Sequence, residues 1–382
     1  MTPPEPERPF GLPEGFRFGV ATAGFQVEGG FNGPGEPANN WAAWEHDGQV
    51  EPSGDALRFW DGYEEHLDRA LAAGCDGFRF SVEWARCEPH PGEVDTDALD
   101  RYRAILDACT ARGLQPLVTL HHFTTPAWLG QDPWLVGDSP ERFAEWAGRA
   151  VAHLGPGCRR WVTINELNIY ALSTYLTGAF PPGRRRAVGS LVRSIDHLLA
   201  AHVLAYDAVK AVQPDSVVAT NNYCFSIYEL DRLMTDVLLA RRNGVERHGL
   251  CHWLTGRRRA YHASVGNAGA GGSARVGRIE LGLRRLANSA LPLDRALPRA
   301  VAAVYASPHG CTLDVSQVDF YNPVVSSHLR APFHATVGGR NPEPSRLLWD
   351  DPPDPSGHTR YLGLNHEPGL DLWLVENGLC NR

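Results

Sequence analysis

Short apolar runs alternate with longer helical patterns along this chain. Each run is rich in valine, phenylalanine and isoleucine, which suits a short strand that is buried on both faces. The alternation of such strands with helices is typical of a parallel sheet with crossover connections. We therefore predict an α/β protein with seven strands. They cover residues 16–23, 77–84, 115–122, 159–166, 216–223, 315–321 and 370–376.

Four segments between the strands have the pattern of helices. Several of them begin at an aspartate or a serine, which are residue types that cap helix N-termini. Residues 241–300 differ, because they are rich in arginine, glycine and histidine and have no steady period. We interpret residues 1–382 as a single domain with an irregular loop elaboration at 241–300. The predicted helices cover residues 57–73, 95–112, 139–153 and 190–212.

Seven strand-helix units predict a (β/α)8 TIM barrel in which the eighth strand-helix unit is missing. An open, doubly wound sheet is the alternative. The barrel is favoured because polar residues cluster where the predicted strands end, and in a barrel these ends converge on the face that carries the active site. The polar residues at the strand ends are Gln26, Arg79, Glu83, His121, His122, Asn165, Glu166, Tyr321 and Glu376.

Composition and charge argue against several classes of function. The formal net charge is −8, and the basic residues are scattered apart from two short arginine runs, so we predict no nucleic-acid partner. The eight cysteines include no C-x-x-C pair, and we predict neither a metal nor a cofactor. The N-terminus does not resemble a signal peptide, and no apolar stretch reaches about 18 residues. We therefore expect a cytoplasmic protein that does not contact membranes.

Two glutamates at strand ends suggest a reaction. Cleavage of an acetal between sugars needs a proton for the leaving oxygen and a second carboxylate that stabilises or attacks the anomeric carbon. Glu166, in the sequence TINELN, and Glu376, in LVENG, each follow a β-rich run. A single strand-end glutamate is usually a solvated rim residue or an ion-pair partner. The hypothesis therefore depends on the pair and its surroundings.

Five sequence motifs support this hypothesis. They are FGVATAGFQVEG at 18–29, FRFSVEW at 78–84, VTLHHFTTP at 118–126, TINE at 163–166 and VENG at 375–378. Each motif alone is a weak signal, but five in this order, each at the end of its predicted strand, are specific. On these motifs the chain resembles glycoside hydrolase family one, the β-glucosidase family, from residue 16 to residue 378.

The resemblance implies a β-glucosidase-like retaining β-glycosidase that hydrolyses terminal β-D-glycosides by double displacement. It implies Glu166 as the acid/base, Glu376 as the nucleophile and Arg79 as the residue that orients the nucleophile. A hydroxyl group on a sixth-strand tyrosine could also donate a hydrogen bond to the nucleophile. The residues implied to bind the substrate are Gln26, His122, Asn165 and Tyr321.

The two glutamates must differ in protonation. Glu376 has to be ionised, and the guanidinium of Arg79 within a few ångströms would lower its pKa. Glu166 has to be protonated, and burial together with repulsion from Glu376 would raise its pKa. A retaining reaction also requires the two carboxyl groups to lie about 5 to 5.5 Å apart.

The strand pattern also predicts which of the nearby aromatic residues face the pocket and which pack in the core. Side chains alternate along a strand, so only one of His121 and His122 can face the pocket; we expect His122 to bind the substrate and His121 to be structural. Trp161 and Trp373 lie within strands and should pack in the core. Trp41, Trp44 and Trp128 lie in or near loops and are better candidates for stacking on a sugar ring, but we expect each of them to be a packing residue.

Four positions near the predicted site depart from the family pattern. Leu167 follows the acid/base where the family has proline, and Phe123 stands in place of a tryptophan. Val375 replaces a threonine before the nucleophile. Asp319 replaces an asparagine that the family has near the aglycone side, which suggests a shift in substrate preference.

The end of the chain is a further departure from the family. The chain ends at Arg382, whereas the family continues with an eighth strand-helix unit and a loop that binds the sugar. A barrel of seven strands has two unpaired edges, so we expect that the chain can oligomerise through the open barrel edge. Three hypotheses stay open: a hydrolysing β-glycosidase, a transglycosylase or glycosyltransferase with the same glutamates, and a catalytically dead, truncated carbohydrate-binding relic.

Overall fold

The protein is built on parallel β-strands that alternate with helices. The computed structural model describes residues 15–31, 36–224, 228–268, 293–321 and 355–378. All the strand pairs in these ranges are parallel, as expected where a helix or a long connection returns the chain between strands. The strands are β1 Gly19–Ala21, β2 Gly77–Ser81, β3 Gln115–Thr119, β4 Arg160–Val162, β5 Val217–Ala219, β6 Asn221–Tyr223, β7 Ser316–Phe320 and β8 Leu372–Asn377.

The strands follow each other around the sheet in chain order. The first five form one hydrogen-bonded sheet, β1-β2-β3-β4-β5, and the last three form another, β6-β7-β8. Only Thr220 separates β5 from β6, so the second sheet continues the first. The sequence predicts one strand at 216–223, whereas the structure divides it in two. The reason is a change of partner, because the first half pairs with β4 and the second half with β7.

Helices connect the strands, and the four predicted from sequence are present within three residues of their expected bounds. The Asp95 side chain accepts a hydrogen bond from the Ala98 N–H, which fixes the start of one of them. No described helix is both long and apolar enough to cross a membrane. The helices are α1 Gly24–Val27, α2 Asn40–His46, α3 Phe59–Ala72, α4 Trp84–Cys87, α5 Thr96–Ala111, α6 Ser139–Leu154, α7 Leu167–Tyr175, α8 Val188–Val212, α9 Tyr228–Asp231, α10 Leu233–Leu239, α11 Leu250–Ala268, α12 Leu293–Ala296, α13 Pro298–Ala306 and α14 Pro355–Asn365.

The 241–300 region contains more regular structure than its composition suggests. The helix α11 alone accounts for 19 residues of it, and α12 and the start of α13 follow. Residues 269–292, which include most of the glycine-rich stretch, lie outside the described residues. The irregular composition therefore conceals helices whose apolar positions do not recur at a clear period.

A large apolar core lies between the sheet and its helices. Trp84 and Trp146 stack with their ring centroids 6.1 Å apart. Trp161 is fully buried, and its indole N–H donates to the Gln213 side-chain oxygen at 2.9 Å. Trp373 packs against the same core while half-buried. Each large apolar side chain buried in this way contributes about 1.5–3 kcal/mol. Trp161 and Trp373 are therefore part of the core, as their place within strands predicts.

The strand β1 is an exception to this burial. It pairs with β2 on one side, and on the other side it approaches β8. Within the described ranges no hydrogen-bonded ladder joins β1 to β8. Val20 on this strand is 39% exposed, and Phe16 and Phe18, which precede it, are 41% and 53% exposed. The described barrel wall is therefore open between β1 and β8, next to the pocket described below.

Candidate active site

A cavity of about 220 Å³ opens at the carboxyl ends of the strands, where a barrel carries its active site. Five of the seven residues predicted for the site lie on its wall. The other two, Arg79 and Asn165, are buried directly behind it and contact wall residues. The wall is formed by Ala21, Thr22, Ala23, Gln26, His122, Phe123, Glu166, Tyr321 and Glu376.

Glu166 links β4 to α7 in an unusual backbone conformation. Its φ of 41° and ψ of 54° lie in the left-handed region, which glycine adopts readily and other residues adopt at a cost. Such a conformation costs of order 1–3 kcal/mol and persists only where the surrounding structure imposes it. The turn places the Glu166 carboxyl at the cavity wall, buried to 5% exposure.

Glu376 reaches the cavity because of a β-bulge. The register between β7 and β8 shifts after Val318, so that Val375 is the extra residue and Glu376 lies opposite Asp319. A bulge of this kind redirects the side chain that follows it. The Val375 carbonyl accepts a hydrogen bond from Arg79 Nη1 at 3.3 Å, and Arg79 therefore holds both the bulge and the carboxylate beside it.

Two donors hold the Glu376 carboxylate. Arg79 Nη1 lies 2.6 Å from Oε1, and the Tyr321 hydroxyl donates to Oε2. Burial by itself would raise the pKa of Glu376, but the Arg79 charge and these hydrogen bonds hold the pKa below its usual range. Glu376 is therefore ionised at neutral pH.

Glu166 has the opposite electrostatic character. Burial, and next the negative charge of Glu376, raise the pKa of Glu166 well above its usual range. Its Oε1 atom is buried and has no hydrogen-bond donor among the described residues. Glu166 is therefore protonated while Glu376 is charged, so the two carboxyl groups have the opposite protonation states that the sequence analysis requires.

A third carboxyl group, that of Asp319, lies against both glutamates. Oxygen atoms of Glu166, Asp319 and Glu376 all lie within 4.8 Å of one another. Asn221 Nδ2 donates to Asp319 Oδ2, while Arg79 Nη1 lies 4.0 Å from Asp319 Oδ1. This trio is the set of side chains in the described ranges that could ligate a cation, but the Arg79 charge beside it opposes cation binding.

Asn165 and His122 are joined in one hydrogen-bond network. The Asn165 side-chain oxygen accepts from Arg79 and, at 3.0 Å, from Asn221. Its amide nitrogen lies 3.2 Å from His122 Nε2, which makes Nε2 the acceptor and leaves the proton of the neutral ring on Nδ1. Burial lowers the pKa of His122 to about 4, so the ring is neutral. Its Nδ1 has no partner among the described residues and is available to a ligand.

His121 takes no part in this network. Its ring packs edge-on against Trp134, Phe143 and Tyr170, with centroid separations of 5.3, 6.1 and 5.5 Å. Burial lowers its pKa to about 3, so it too is neutral. The alternation of side chains along β3 thus sends one histidine to the cavity and its neighbour to the core.

Gln26 lies on the short helix α1 and is exposed at the cavity wall. Two contacts of Gly24 fix this helix. The Gly24 N–H donates to Ser81 Oγ at 2.6 Å, and a Cβ at this position would lie 2.6 Å from Glu83 Oε1. A side chain at position 24 would therefore displace the helix that carries Gln26.

The geometry agrees with the comparison to known families. Residues 9–254, more than half of the chain, match the family model described as Glycosyl hydrolase family 1. The chain belongs to glycosyl hydrolase family 1. The resemblance stated from the five motifs is confirmed.

Relatives of this family 1 chain differ in their names. The 6-phospho-beta-galactosidase of Clostridium acetobutylicum is 32% identical over 209 residues, which are 54% of this chain and 44% of the relative. The cytosolic beta-glucosidase of Homo sapiens is 32% identical over 203 residues, which are 51% of this chain and 43% of that protein. The chain thus spans less than half the length of the curated relatives it matches.

A solved structure confirms the barrel fold predicted for this family 1 chain. The beta-glucosidase from Thermotoga maritima in complex with castanospermine superposes with a TM-score of 0.59 at 20% identity. The superposition covers 81% of this chain and 66% of that structure. It extends well beyond the 9–254 match, so the similarity of fold reaches strands that the family model does not cover.

The loop tryptophans that were candidates for stacking on a sugar do not line the cavity of this family 1 chain, which agrees with the expectation that each of them packs. The Trp41 N–H donates to the Phe123 carbonyl at 3.2 Å, and the Trp128 N–H donates to the Glu88 carbonyl at 2.8 Å. Trp44 packs edge-on against Trp41. The aromatic side chains on the cavity wall are instead those of Phe123 and Tyr321, beside the His122 ring.

The sequence predicts Asp319 near the aglycone side, and the structure shows that its carboxyl group lies within 4.8 Å of those of both glutamates. A signal for this position was present in the sequence. Asp319 lies two residues before Tyr321 on one strand, and residues two apart face the same side of a sheet. Asn221, which holds Asp319, was missed because it belongs to none of the five motifs.

Proposed function

We propose that this family 1 chain is a retaining β-glycosidase that works by double displacement, with Glu376 as the nucleophile and Glu166 as the acid/base. The observation that carries the proposal is the close pair of carboxyl groups with opposite protonation. Their oxygens lie within 4.8 Å, a separation that suits a retaining reaction, whereas an inverting reaction needs about 6.5–9.5 Å between the carboxyl groups to admit a water molecule.

In the first step, an oxygen of Glu376 attacks the anomeric carbon of the sugar. The bond from that carbon to the leaving oxygen breaks, and the Glu166 proton passes to the leaving oxygen. Arg79 and Tyr321 hold the attacking carboxylate in a fixed orientation, so less entropy is lost on the way to the transition state. The products of this step are a free alcohol, a covalent glycosyl-enzyme and an ionised Glu166.

In the second step, water hydrolyses the glycosyl-enzyme. The ester has no charge on Glu376, so one of the causes that raises the pKa of Glu166 disappears, and Glu166 can act as a base. It takes a proton from the attacking water, whose oxygen binds the anomeric carbon as the bond to Glu376 breaks. Two inversions at this carbon leave the β configuration unchanged.

The lining of the cavity favours a neutral sugar. Gln26 offers an amide, and His122 offers its free Nδ1 proton to a sugar hydroxyl. Asn165 still has one amide proton to donate, because only one of its two N–H groups is used, by His122 Nε2. Among the described wall residues there is no lysine or arginine to pair with a phosphate. We therefore propose an unphosphorylated β-glycoside as substrate.

The test is hydrolysis by the purified 382-residue chain of three aryl glycosides: a β-glucoside, a β-galactoside and a 6-phospho-β-galactoside. We expect release of aryl alcohol from an unphosphorylated glycoside and none with Glu376→Gln. Proton NMR of the first sugar product should show the β anomer. An α first product would contradict the retaining mechanism. No release from a chain with a cooperative unfolding transition would contradict the enzyme function and favour a relic.

A further inference from the structure

The three carboxyl groups of the site share a single cation among the described residues. Arg79 Nη1 is 2.6 Å from Glu376 Oε1 but 4.0 Å from Asp319 Oδ1, so its charge is committed to Glu376. Asp319 is fully buried, and Glu166 is nearly so. Three ionised carboxylates around one guanidinium would leave uncompensated charge in a buried site, which is strongly destabilising. Protons must therefore remain in this cluster at neutral pH.

The unsatisfied atoms show where a proton lies. Asp319 Oδ1 and Glu166 Oε1 are both buried and have no donor among the described residues when the two carboxyls are ionised. Oxygen atoms of the two groups lie within 4.8 Å of each other, and a side-chain hydrogen bond between them acts on both of their pKa values. A proton between them gives each oxygen a partner, since a protonated carboxyl group donates and its neighbour accepts.

We propose that Asp319 is a positioning residue for the acid/base: its protonated carboxyl group donates a hydrogen bond to the Glu166 carboxyl group and thereby holds Glu166 towards the sugar. This inference rests on the proposed function of Glu166. Asn221 fixes the other side of Asp319 by donating to Oδ2. Burial, and next the charges of Glu376 and Glu166, raise the pKa of Asp319 well above its usual range, which agrees with a protonated state.

The hydrogen bond from protonated Asp319 to Glu166 has a consequence for each step of the reaction. When Glu166 gives its proton to the leaving group, it becomes a carboxylate, and Asp319 donates its own hydrogen bond to that carboxylate. Asp319 keeps its proton, so the step remains balanced and needs no further acid. When Glu166 then takes a proton from water, the pair returns to its starting state with two protons.

An asparagine at this position could donate a hydrogen bond but could not gain or lose a proton. In the wild type, Asp319 and Glu166 together hold two protons at neutral pH. Activity should therefore fall in two ionisation steps as the pH rises, because one proton remains on the pair after the first is lost. Asp319→Asn should lose activity in one. The polar and titratable groups around Asp319 stay the same in both proteins. They are Arg79, Asn221, Glu166, Glu376, Tyr321 and Tyr361. The neutral His122 ring lines the same cavity.

The experiment combines two measurements on wild type and Asp319→Asn. The first is the pH profile of kcat/KM, for which we expect a broad, two-step alkaline limb in the wild type, a one-step limb in the variant, and a change at the optimum within about tenfold. The second is infrared spectroscopy with ¹³C-labelled aspartate. A protonated aspartate band should be present at neutral pH in the wild type and lost in the variant.

The two measurements separate the failure of this inference from that of the proposed function. The absence of a protonated aspartate band that depends on Asp319 would overturn the inference, and so would identical one-step limbs in both proteins. If the band is present but no glycoside is hydrolysed, the protonated state of Asp319 is supported and the proposed glycosidase function is wrong. The wild-type band can also be titrated without any variant, which keeps the test valid if Asp319→Asn folds poorly.

Discussion

The protein contains two buried acidic clusters of similar composition that differ in how well they are satisfied. The first, which we call the pocket cluster, consists of Arg79, Glu166, Asp319, Tyr321 and Glu376. It opens onto the cavity, and buried carboxyl oxygens of two of its members have no donor among the described residues. It therefore retains hydrogen-bonding capacity that a ligand or a mobile proton can use.

The second cluster, which we call the closed cluster, consists of Glu28, Glu83, Arg86 and Tyr102, all buried beneath α1. Glu28 accepts from Arg86 Nε and from the Tyr102 hydroxyl, both at 2.8 Å. Glu83 accepts from Thr124 at 2.6 Å and from Ser81 at 3.3 Å. Every carboxylate oxygen here has a donor. Glutamates, an arginine and a tyrosine therefore do not by themselves indicate catalysis; unsatisfied groups that face a cavity do.

The largest expected difference between the clusters concerns their arginine-paired glutamates. Glu376→Gln should lower kcat/KM by about 10⁴-fold or more, because an amide cannot form the glycosyl-enzyme. Its matched control, Glu28→Gln, should lower the free energy of unfolding by about 3 kcal/mol, since it leaves the Arg86 charge uncompensated. Glycoside hydrolysis and urea unfolding of both variants measure the two effects.

The activity of Glu28→Gln decides whether the two clusters differ in this way. The folded fraction of Glu28→Gln should hydrolyse substrate within a few-fold of the wild-type rate. A loss of activity per folded molecule as large as that of Glu376→Gln would show that the closed cluster also takes part in the reaction, and the distinction between the clusters would be wrong.

The next effect concerns Glu166. Glu166→Ala should reduce the rate by about 10²–10⁴-fold for a glycoside whose leaving group needs a proton. A glycoside with an acidic phenol as leaving group should be affected much less. Azide, a small anion that needs no base, should restore turnover and yield a β-glycosyl azide. Steady-state kinetics with the two leaving groups and NMR of the azide product provide the test, and an equal loss for both leaving groups would contradict the acid role.

The third effect is a pH dependence of stability that arises in the closed cluster. Burial, and next the charge of Glu28, raise the pKa of Glu83 from 4.5 to about 7. Because this pKa is raised in the folded state, Glu83 stabilises the folded protein fully below pH 4.5. This stabilisation is lost as the pH rises through about 7. Relative to Glu83→Gln, the wild type should thus lose on the order of 3 kcal/mol of unfolding free energy over that range. Urea unfolding at several pH values measures it, and parallel curves would refute the assignment.

The smallest effect tests the hydroxyl group in the pocket cluster. Tyr321→Phe removes the hydrogen bond to Glu376 Oε2, and we expect about a tenfold loss in kcat/KM. The same hydrogen bond helps to lower the pKa of Glu376, so its loss should move the acid limb of the pH profile to higher pH. The pH dependence of kcat/KM shows the direction, and an acid limb that moves to lower pH would contradict this role.

The sequence predicts much of this architecture because the period of apolar residues follows burial directly. The predicted helix at 95–112 is observed at Thr96–Ala111. The alternation of strands and helices predicts the parallel sheet, and the polar residues at the strand ends favour the barrel over an open sheet. The interruption at Thr220 is not predictable in this way, because it arises from a change of partner: the first half pairs with β4 and the second half with β7. The periodic signal reports burial, not the identity of the neighbouring strand.

The candidate site shows a similar limit. The seven residues proposed from the motifs lie on or directly behind one cavity wall, and their roles remain predictions. The contact of Asp319 with both glutamates depends on the bulge at Val375, which no pattern in the sequence reveals. The loop tryptophans pack against neighbouring groups, as expected, although a loop position alone does not say which way an indole points.

The left-handed backbone of Glu166 has a consequence for the evolution of this chain. Glycine or asparagine would occupy this position at lower conformational cost, so the fold itself exerts a steady preference against glutamate. Phe123, on the same cavity wall, has a φ of 69° and is under the same pressure. A lineage released from selection for catalysis should replace such residues early. A glutamate kept here against the preference of its own backbone is what selection for a working site would leave behind.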